Sequence, residues 1–317
     1  MYLVTGGGGF IGSHIVEKLV GMGEKVRVFD NFSFGKADNL KQVEGQVEII
    51  SGDLLDAAAL GQAMSGVRVV FHQAALRSVP FSVENPTLVN RVNVEGTLNV
   101  FVAARDAGVK RVVYASSSSV YGKSPTLPKR EQDVPAPISP YAASKAAGEY
   151  YGKVFTELYS LETIGLRYFN VYGPRQDPNS QYAAVIPRFI NWAFQGEPLE
   201  IHGDGLQSRD FTYIDNVVSA NLHAAESQLG AGGVFNVGQG RAHTLLEVVD
   251  LLEDIIGTKL QLLHIAGRAG DVRHTQADIS EAQRCLGYAP EISFEDGLSR
   301  TVAYLGKQIA WSLPAQV

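Results

Sequence analysis

The sequence predicts an α/β protein built on a doubly wound parallel sheet, with a smaller α+β region at its C-terminal end. Short apolar runs alternate with longer segments of helical periodicity through the first half of the chain. These runs are continuous rather than alternating, which is typical of strands buried on both faces of a parallel sheet. A glycine-rich segment separates the first run from the first helical pattern, where this architecture places a phosphate-binding loop.

Six strands with intervening helices follow from this pattern. The predicted strands cover residues 2–5, 26–30, 47–52, 67–72, 112–116 and 163–168. The predicted helices cover residues 10–22, a short stretch from 57, 88–107 and 141–159. We therefore expect one domain over residues 1–168 and a second over 169–317, with 213–238 crossing back into the first. In the second domain, Thr244 and Glu247 form a predicted capping box at a helix start.

The composition narrows the possible partners. The 317 residues are 45 % hydrophobic and 19 % charged, with a net charge of −6. This acidic balance disfavours nucleic acid as a partner, and the single cysteine, Cys285, cannot form an internal disulfide, which favours a reducing compartment. No apolar run reaches membrane-span length, and no signal-type segment opens the chain. We expect a cytoplasmic protein with no membrane, nucleic-acid or metal partner.

Three glycines spaced three apart follow the first predicted strand. Gly6 can take the tight turn, Gly9 lets the backbone approach a pyrophosphate, and Gly12 lets the helix pack close to the sheet. The helix that starts at Phe10 and Ile11 offers unpaired N–H groups to phosphates. Strand, loop and helix together predict the dinucleotide-binding loop of a Rossmann domain; a glycine-rich turn without a ligand is the alternative.

Two acidic residues end the next two strands. Asp30 can accept hydrogen bonds from both hydroxyls of an adenosine ribose and would repel a 2′-phosphate, which favours NAD over NADP. Asp53, followed by Leu54, is placed to meet the adenine, or else it caps the following helix.

The candidate catalytic residues lie at the start of a helix and at the end of a strand. Tyr141 and Lys145 are four residues apart and therefore share a helix face. The ammonium, together with an oxidised nicotinamide, can lower the phenol's pKa from about 10 towards 7, which takes roughly 4 kcal/mol. With 13 tyrosines in the chain, such a pair also arises by chance. The serine run 116–119 strengthens the prediction, because open α/β sheets place their chemistry at strand carboxyl ends.

With these motifs in order, the chain resembles the extended short-chain dehydrogenase/reductase superfamily along nearly its whole length. Further matching stretches are Asp30-Asn31, Ala74-Ala75, Asn93, Val120-Tyr121-Gly122 after the serines, and 167–173. Within the superfamily it is most similar to the UDP-glucose and UDP-N-acetylglucosamine 4-epimerases. The stretches that carry this similarity are 75–80, 175–179, 182–187, 203–205, 208–216 and 268–278.

The resemblance implies a role for each matched residue. Ser117, Tyr141 and Lys145 would be the catalytic set, with Ser118 as a helper. Tightly bound NAD would contact Gly6, Gly9, Phe10, Ile11, Gly12, Asp30, Asn31, Asp53, Leu54, Ala74, Ala75, Arg77, Asn93, Ser116, Tyr141, Lys145 and Tyr168. The UDP-sugar would contact Ser78, Ser117, Asn170, Ala184, Val185, Arg209, Arg268, Asp271 and Thr275. Guanidinium groups suit the diphosphate, although most arginines form surface ion pairs.

Two further expectations concern the substrate. Some relatives place an aromatic ring against the uracil where this chain has Glu200. In the 4-epimerases, the residue corresponding to Thr275 stands beside the 2-position of the sugar, where a small side chain leaves room for an N-acetyl group. The resemblance also implies a homodimer, formed through the helices over 88–107 and 141–159.

The implied reaction is a redox-neutral inversion at C4 of UDP-glucose and UDP-galactose, and of the N-acetylated pair. Tyr141 would remove the 4-hydroxyl proton, and a 4-keto sugar would turn over about the diphosphate before it is reduced from its other face. Dehydratases and decarboxylases of the superfamily carry acidic residues where this chain has Ser118 and Ser119. The alternatives are another UDP-sugar epimerase or decarboxylase, such as one acting on UDP-glucuronate, and a non-catalytic NAD-binding protein.

Overall fold

The architecture is a seven-stranded parallel sheet with helices on both faces. The computed structural model describes residues 1–178, 183–267 and 272–312, and for residues 310–312 it describes only the backbone. The strands are β1 (Tyr2–Thr5), β2 (Val26–Asp30), β3 (Glu48–Ser51), β4 (Val69–His72), β5 (Arg111–Ser117), β6 (Glu162–Tyr168) and β11 (Val234–Val237). Their order is β3-β2-β1-β4-β5-β6-β11, and every pair is parallel. This is the order of a Rossmann sheet, so the predicted fold class is confirmed.

The helices pack against this sheet and against the C-terminal part of the chain. Those of the first half are α1 (Phe10–Gly21), α2 (Ala57–Ala63), α3 (Val79–Glu84), α4 (Pro86–Asn90), α5 (Gly96–Asp106) and α6 (Pro140–Tyr159). Those of the second half are α7 (Val185–Gln195), α8 (Ile214–Glu226), α9 (Leu245–Ile256), α10 (Ser280–Leu286) and α11 (Phe294–Ser312). In the described residues, no helix is both long enough and apolar enough to cross a membrane.

The continuous apolar character of the strands reflects burial on two sides. In β1, Val4 packs into the core cluster on the face that α1 and α8 cover, whereas Leu3 packs into the cluster beneath α2 and α5. Both side chains are fully buried. Successive residues of a strand point to opposite faces, so a strand covered on both faces needs apolar residues at every position.

Shorter strand pairs organise the chain beyond β6. They are β7 (Val171–Tyr172) with β10 (Thr212–Tyr213), β8 (Leu199–His202) with β13 (Leu262–Ile265), and β9 (Ser208–Arg209) with β12 (His243–Thr244). The capping box predicted at Thr244 is confirmed, with Glu247 and Thr244 bonded to each other's backbone N–H groups. Because β11 pairs with β6, the chain returns to the central sheet after α8. The division into two domains at residue 168 stays a prediction.

One predicted helix is interrupted. The segment predicted as a single helix over 88–107 consists of α4, a π-helical turn over Arg91–Glu95, and α5. Asn93 lies in that turn, and its side-chain amide bonds both the N–H and the C=O of Leu76, at 2.8 and 3.0 Å. The side-chain amide of Asn93 in this turn therefore binds the loop that follows β4. Such turns are concentrated at functional sites.

Candidate active site

Three adjoining clefts lie at the carboxyl ends of the sheet strands. The glycine cleft is lined by residues that include Gly6, Gly9, Gly12, Asp30, Asp53 and Arg77. The tyrosine cleft, of about 610 Å³, is lined by residues that include Ser117, Tyr141, Tyr168 and Thr275. The arginine cleft, of about 400 Å³, is lined by residues that include Ala184, Val185, Glu200, His202 and Arg209. Phe10, Ile11 and Arg77 border the first two clefts, and Asn170 and Arg209 border the last two.

The glycine cleft has the close backbone packing that a dinucleotide requires. Gly6 has φ +70°, and a Cβ there would lie 2.6 Å from the backbone nitrogen of Ala74. A Cβ on Gly12 would lie 2.1 Å from the carbonyl oxygen of Gly6. Helix α1 starts directly after Gly9, and no side chain caps it. The residues therefore fit NAD, since the helix end offers N–H groups to a pyrophosphate.

Asp30 fixes the rim of this cleft. Its buried carboxylate accepts hydrogen bonds from the backbone N–H groups of Gly8 and Phe32, at 2.9 and 2.8 Å. Asn31 donates to Asp53 at 2.8 Å, across the ends of β2 and β3. The alternative interpretation of Asp53 as a helix cap is wrong, because the residue that caps α2 is Asp56. Asp30, Asn31 and Asp53 all line the cleft, as the NAD prediction requires.

The remaining predicted NAD contacts divide between the clefts. Leu54, Ala74 and Ala75 line the glycine cleft. Asn93 is buried behind it and holds Leu76, which also lines it. Ser116 and Tyr168 line the tyrosine cleft, where the Tyr168 hydroxyl bonds Gln73 and Asn221.

Helix α6 positions the two predicted catalytic residues. Ser139 caps it by accepting from the N–H of Ala142, so Tyr141 stands in the first turn. Lys145 lies one turn on, with its ammonium 5.9 Å from the centre of the Tyr141 ring, and it donates to the carbonyl of Ala115 at 2.8 Å. Ser117, at the end of β5, reaches the Tyr141 side chain by a hydrogen bond. Tyr141, Ser117 and Lys145 are therefore brought together as predicted, although Lys145 is anchored to the strand rather than to the phenol.

The pKa of Tyr141 differs from the expectation that Lys145 lowers it. Burial raises the pKa of Tyr141, while the hydrogen bond from Ser117 and the charge of Arg77 act to lower it. Burial lowers the pKa of Lys145 to about 8, and the charge of Glu149 acts in the opposite direction. The expected lowering of the phenol's pKa by Lys145 is therefore not found in the protein without its cofactor. Burial destabilises the phenolate more than Ser117 and Arg77 stabilise it.

A buried ion pair supports this face of α6. Glu149 lies one turn beyond Lys145 and forms a two-pronged salt bridge with Arg167 of β6, with N–O distances of 2.9 and 2.8 Å. The hydroxyl of Ser116 donates to the same carboxylate at 2.5 Å. These contacts join the helix of Tyr141 to the two strands that carry the serines and Tyr168.

The serine run and Thr275 both line the tyrosine cleft. Ser117 accepts from the N–H of Ser119, and Ser118 begins a short 3₁₀ turn that leads to Tyr121. Ser117, Ser118, Ser119 and Thr275 all line the cleft. The hydroxyl oxygens of Ser119 and Thr275 are buried and have no hydrogen-bond partner in the described structure.

The arginine cleft gathers four of the predicted substrate contacts. These are Asn170, Ala184, Val185 and Arg209. Arg209 donates to the backbone carbonyls of Ser208 and Arg273, which orients its guanidinium at the border of the cleft. Glu200 also lines this cleft, and so does His202, two residues further along β8 and on the same face. Aromatic rings are therefore present in the cleft, but they belong to Tyr172, His202 and Phe211 rather than to position 200.

Other predicted contacts are not placed in these clefts. Ser78 is absent from the residues that line them, and its hydroxyl caps α3 by accepting from the N–H of Phe81 at 3.2 Å. Arg268 and Asp271 lie outside the described residues. Their roles stay predictions.

The structure also adds residues that the sequence did not reveal. Gln176 is 5 % exposed and lines the tyrosine cleft, with its amide group donating to the carbonyl of Val171. Lys129 is 1 % exposed and lines the same cleft. Gln176 belongs to a stretch that carries the resemblance and could have been found there. Lys129 lies in a polar loop without periodicity, so no sequence pattern indicates its burial.

Fold and site together define a Rossmann-type enzyme of the extended short-chain dehydrogenase/reductase class. The model of the NAD-dependent epimerase/dehydratase family matches residues 2–238. The UDP-glucose 4-epimerase of Mycolicibacterium smegmatis is 38 % identical over 306 residues, which cover 95 % of this chain and 97 % of that protein. The UDP-glucuronate 4-epimerase of Thermodesulfobacterium geofontis is 37 % identical over 322 residues, with 97 % of each chain covered.

A solved structure agrees with these sequence matches. The UDP-N-acetylglucosamine 4-epimerase of Methanobrevibacter ruminantium, solved with UDP-N-acetylmuramic acid, superposes with a TM-score of 0.93 at 43 % identity, over 97 % of this chain and 98 % of that one. The chain therefore belongs to the NAD-dependent epimerase/dehydratase family, and NAD is its cofactor.

Retention of this cofactor can be tested by filling the space at Gly12. We expect the purified protein to release NAD(H) when it is denatured, and Gly12→Ala to release at least about tenfold less, because the added Cβ collides with the Gly6 carbonyl. Gly21→Ala is the matched control, since that position in the same helix has open space. The nucleotide in the supernatant is quantified by chromatography. Equal retention by the two variants, or no nucleotide and no NAD binding by the wild type, would contradict this prediction.

Proposed function

We propose that the protein is a UDP-hexose 4-epimerase that interconverts UDP-glucose and UDP-galactose, and UDP-N-acetylglucosamine and UDP-N-acetylgalactosamine. The observation that carries the proposal is the position of Tyr141 and Ser117 in a cleft that connects the NAD-binding loop to an arginine-bordered cleft. Such a site holds a reacting hydroxyl between a cofactor and a diphosphate.

The chain's own residues supply the proton transfer. Tyr141 accepts the proton of the sugar 4-hydroxyl as a phenolate, a form that the positive charge of bound oxidised nicotinamide would favour, and Ser117 holds that hydroxyl by a hydrogen bond. Arg77 stabilises the phenolate by its charge. The Lys145 ammonium adds a positive charge on the same helix face and fixes α6 to β5 through the Ala115 carbonyl. When bound, NAD supplies a hydride acceptor that returns the hydride in the second half of the reaction.

Inversion at C4 requires the 4-keto sugar to present its opposite face without leaving the protein. Arg209 and Asn170 stand where the tyrosine and arginine clefts meet, which suits a diphosphate held at that border. The tyrosine cleft beyond them, at about 610 Å³, is large enough for a hexose to reorient. A firmly bound nucleotide and a loosely bound sugar are the two conditions for this reaction.

The dehydratases and decarboxylases that the chain resembles carry acidic residues directly before the Val-Tyr-Gly stretch, where this chain has Ser118 and Ser119. Among the described residues that line the tyrosine cleft there is no Asp or Glu. Ser118 and Ser119 line this cleft, and a serine hydroxyl does not titrate near neutrality. This lining favours epimerisation, in which no water or carbon dioxide leaves. A non-catalytic NAD-binding protein would have no need of the Tyr141–Ser117 contact.

The reaction type is tested by mass and absorbance. With UDP-glucose, UDP-N-acetylglucosamine and UDP-glucuronate, the last of which has a carboxylate to lose, we expect any product to keep the mass of its substrate. We also expect less than one equivalent of NADH per protein at any time, because the cycle consumes the NADH that it forms. Mass spectrometry of the nucleotide sugars and absorbance at the reduced nicotinamide band check this. Boiled protein is the control. A product lighter by the mass of water or of carbon dioxide would return the dehydratase or decarboxylase alternative.

A further inference from the structure

Lys129 is fixed between the two segments that line the tyrosine cleft. Its N–H donates to the carbonyl of Gln276 at 2.8 Å, and its carbonyl accepts from the N–H of Asp278 at 2.8 Å. Lys129 and Ala277 thus form a parallel bridge. Since alternate residues of an extended segment share a face, Ala277 and Thr275 lie on one side. The bridge therefore places Lys129 opposite Ala277, two residues from Thr275, and both Lys129 and Thr275 line the cleft.

The ammonium of Lys129 is buried without a carboxylate partner. The residue is 1 % exposed, and its Nζ donates to the carbonyl of Ser124. Within residues 1–178, 183–267 and 272–312, no salt bridge to Lys129 is found; Asp133 acts on it only through its more distant charge. Burial lowers the pKa of this lysine. An ammonium has three N–H donors, and a buried cation is costly unless anions or hydrogen-bond acceptors surround it.

Two hydroxyls in this cleft have no partner, whereas the Lys129 ammonium uses one of its three donors on Ser124. The hydroxyls of Ser119 and Thr275 are buried with no hydrogen bond in the described structure. Buried polar groups in folded proteins nearly always have partners, so these three side chains define a subsite that a polar ligand completes. One of the hydrogen-bond donors of this subsite is the Lys129 ammonium, which is a cation. Sugar hydroxyls both donate and accept, whereas a carbonyl or carboxylate oxygen only accepts and suits a cation best.

We propose that Lys129 is a specificity-determining residue that binds an acceptor-only oxygen on the hexose of the substrate, the carbonyl of an N-acyl group or a carboxylate. The inference rests on the proposed function, because it takes the tyrosine cleft as the sugar site. It gives this cleft a preference for substituted hexoses over plain glucose and galactose. Two hexose substituents carry an oxygen that only accepts hydrogen bonds: an N-acetyl group and the carboxylate of a uronic acid. The test distinguishes between them.

The test compares substrates in one variant. Lys129→Met keeps the length of the side chain and removes its charge. We expect it to raise KM at least tenfold for UDP-N-acetylglucosamine, for UDP-glucuronate, or for both, and to change KM for UDP-glucose less than threefold, with kcat changing little. The substrate that responds identifies the substituent. Lys123→Met, at an exposed lysine of the same loop, is the matched control and should leave all three values unchanged.

The test also decides the question if the Lys129→Met variant is less stable than the wild type. If Lys129→Met has a lowered Tm, Lys129→Gln keeps a polar group, and the same ratio of KM values is measured on it. An equal rise of KM on all three substrates gives Lys129 a purely structural role and overturns the proposal. Unchanged KM on all three, or a wild type that turns over UDP-glucose alone, overturns it too.

Binding measurements separate this proposal from the proposed function. Calorimetry of the NAD-containing protein compares the affinity for each UDP-sugar with that for UDP. If no substrate is epimerised, the proposed function fails, and Lys129 is judged by binding alone. A substituted sugar that adds affinity over UDP in the wild type but not in Lys129→Met supports the proposal. Equal additions in both proteins overturn it.

Discussion

Tyr141→Phe is expected to lower turnover by two or more orders of magnitude, the usual contribution of a positioned acid or base of roughly 100-fold to 10,000-fold. The change removes one hydroxyl from a partly buried side chain and keeps its aromatic ring. Ser117 loses its hydrogen-bond partner and Arg77 the phenolate that it stabilises. The initial rate of UDP-glucose epimerisation, with the enzyme saturated, measures this loss.

Tyr150→Phe is the matched control for that experiment. Tyr150 lies on the same helix and is 63 % exposed, so its hydroxyl contributes nothing to the cleft. Both variants should keep the wild-type circular dichroism spectrum and the wild-type amount of bound nucleotide. Near-normal activity of Tyr141→Phe would mean that this tyrosine only starts the helix, and the catalytic assignment would fall.

Thr275→Tyr is expected to separate the N-acetylated substrates from the plain ones. Thr275 lines the tyrosine cleft, and its buried hydroxyl has no partner in the described residues. A tyrosine there fills space that an N-acetyl group needs, and a steric change of this kind lowers kcat/KM by about 10-fold to 200-fold. We expect that loss for UDP-N-acetylglucosamine and a much smaller one for UDP-glucose, measured in parallel assays.

Thr275→Val is the control, because it keeps the shape and removes only the hydroxyl. It should retain activity on the plain pair and lose part of its activity on the N-acetylated pair if the hydroxyl bonds the acetyl carbonyl. Equal losses on both pairs in Thr275→Tyr would show that this residue does not limit the size of the sugar. A wild type active on UDP-glucose alone would also end the wide-cleft proposal.

The sequence predicted the central sheet well because its constraints are local and repeated. A strand buried on both faces must be apolar at each position, as Leu3 and Val4 are, and the glycine loop must avoid side chains where backbones touch. The same reasoning brought Tyr141 and Ser117 to one cleft, since strand ends and helix starts of such a sheet meet at one edge.

The features that were missed depend on contacts between distant segments. The π-helical turn at Asn93 is fixed by its bonds to Leu76, which no periodicity reveals. The strands β8 and β13 are short and join segments about 60 residues apart, so neither is distinctive alone. The burial of Lys129 depends on the bridge to Ala277, and a lysine in a polar loop otherwise predicts a solvated side chain.

The fate of the hydrogen at C4 tests the proposed epimerisation most directly. UDP-glucose carrying deuterium at C4 is incubated with the protein in ordinary water, and the UDP-galactose formed is analysed by NMR. The proposed reaction returns the same hydrogen to the opposite face, so the product should keep its deuterium at C4 and gain none elsewhere. Loss of the label to solvent would indicate proton abstraction at carbon. That loss of label would contradict a hydride-based 4-epimerase. The absence of any epimer from every UDP-sugar tested would contradict it as well.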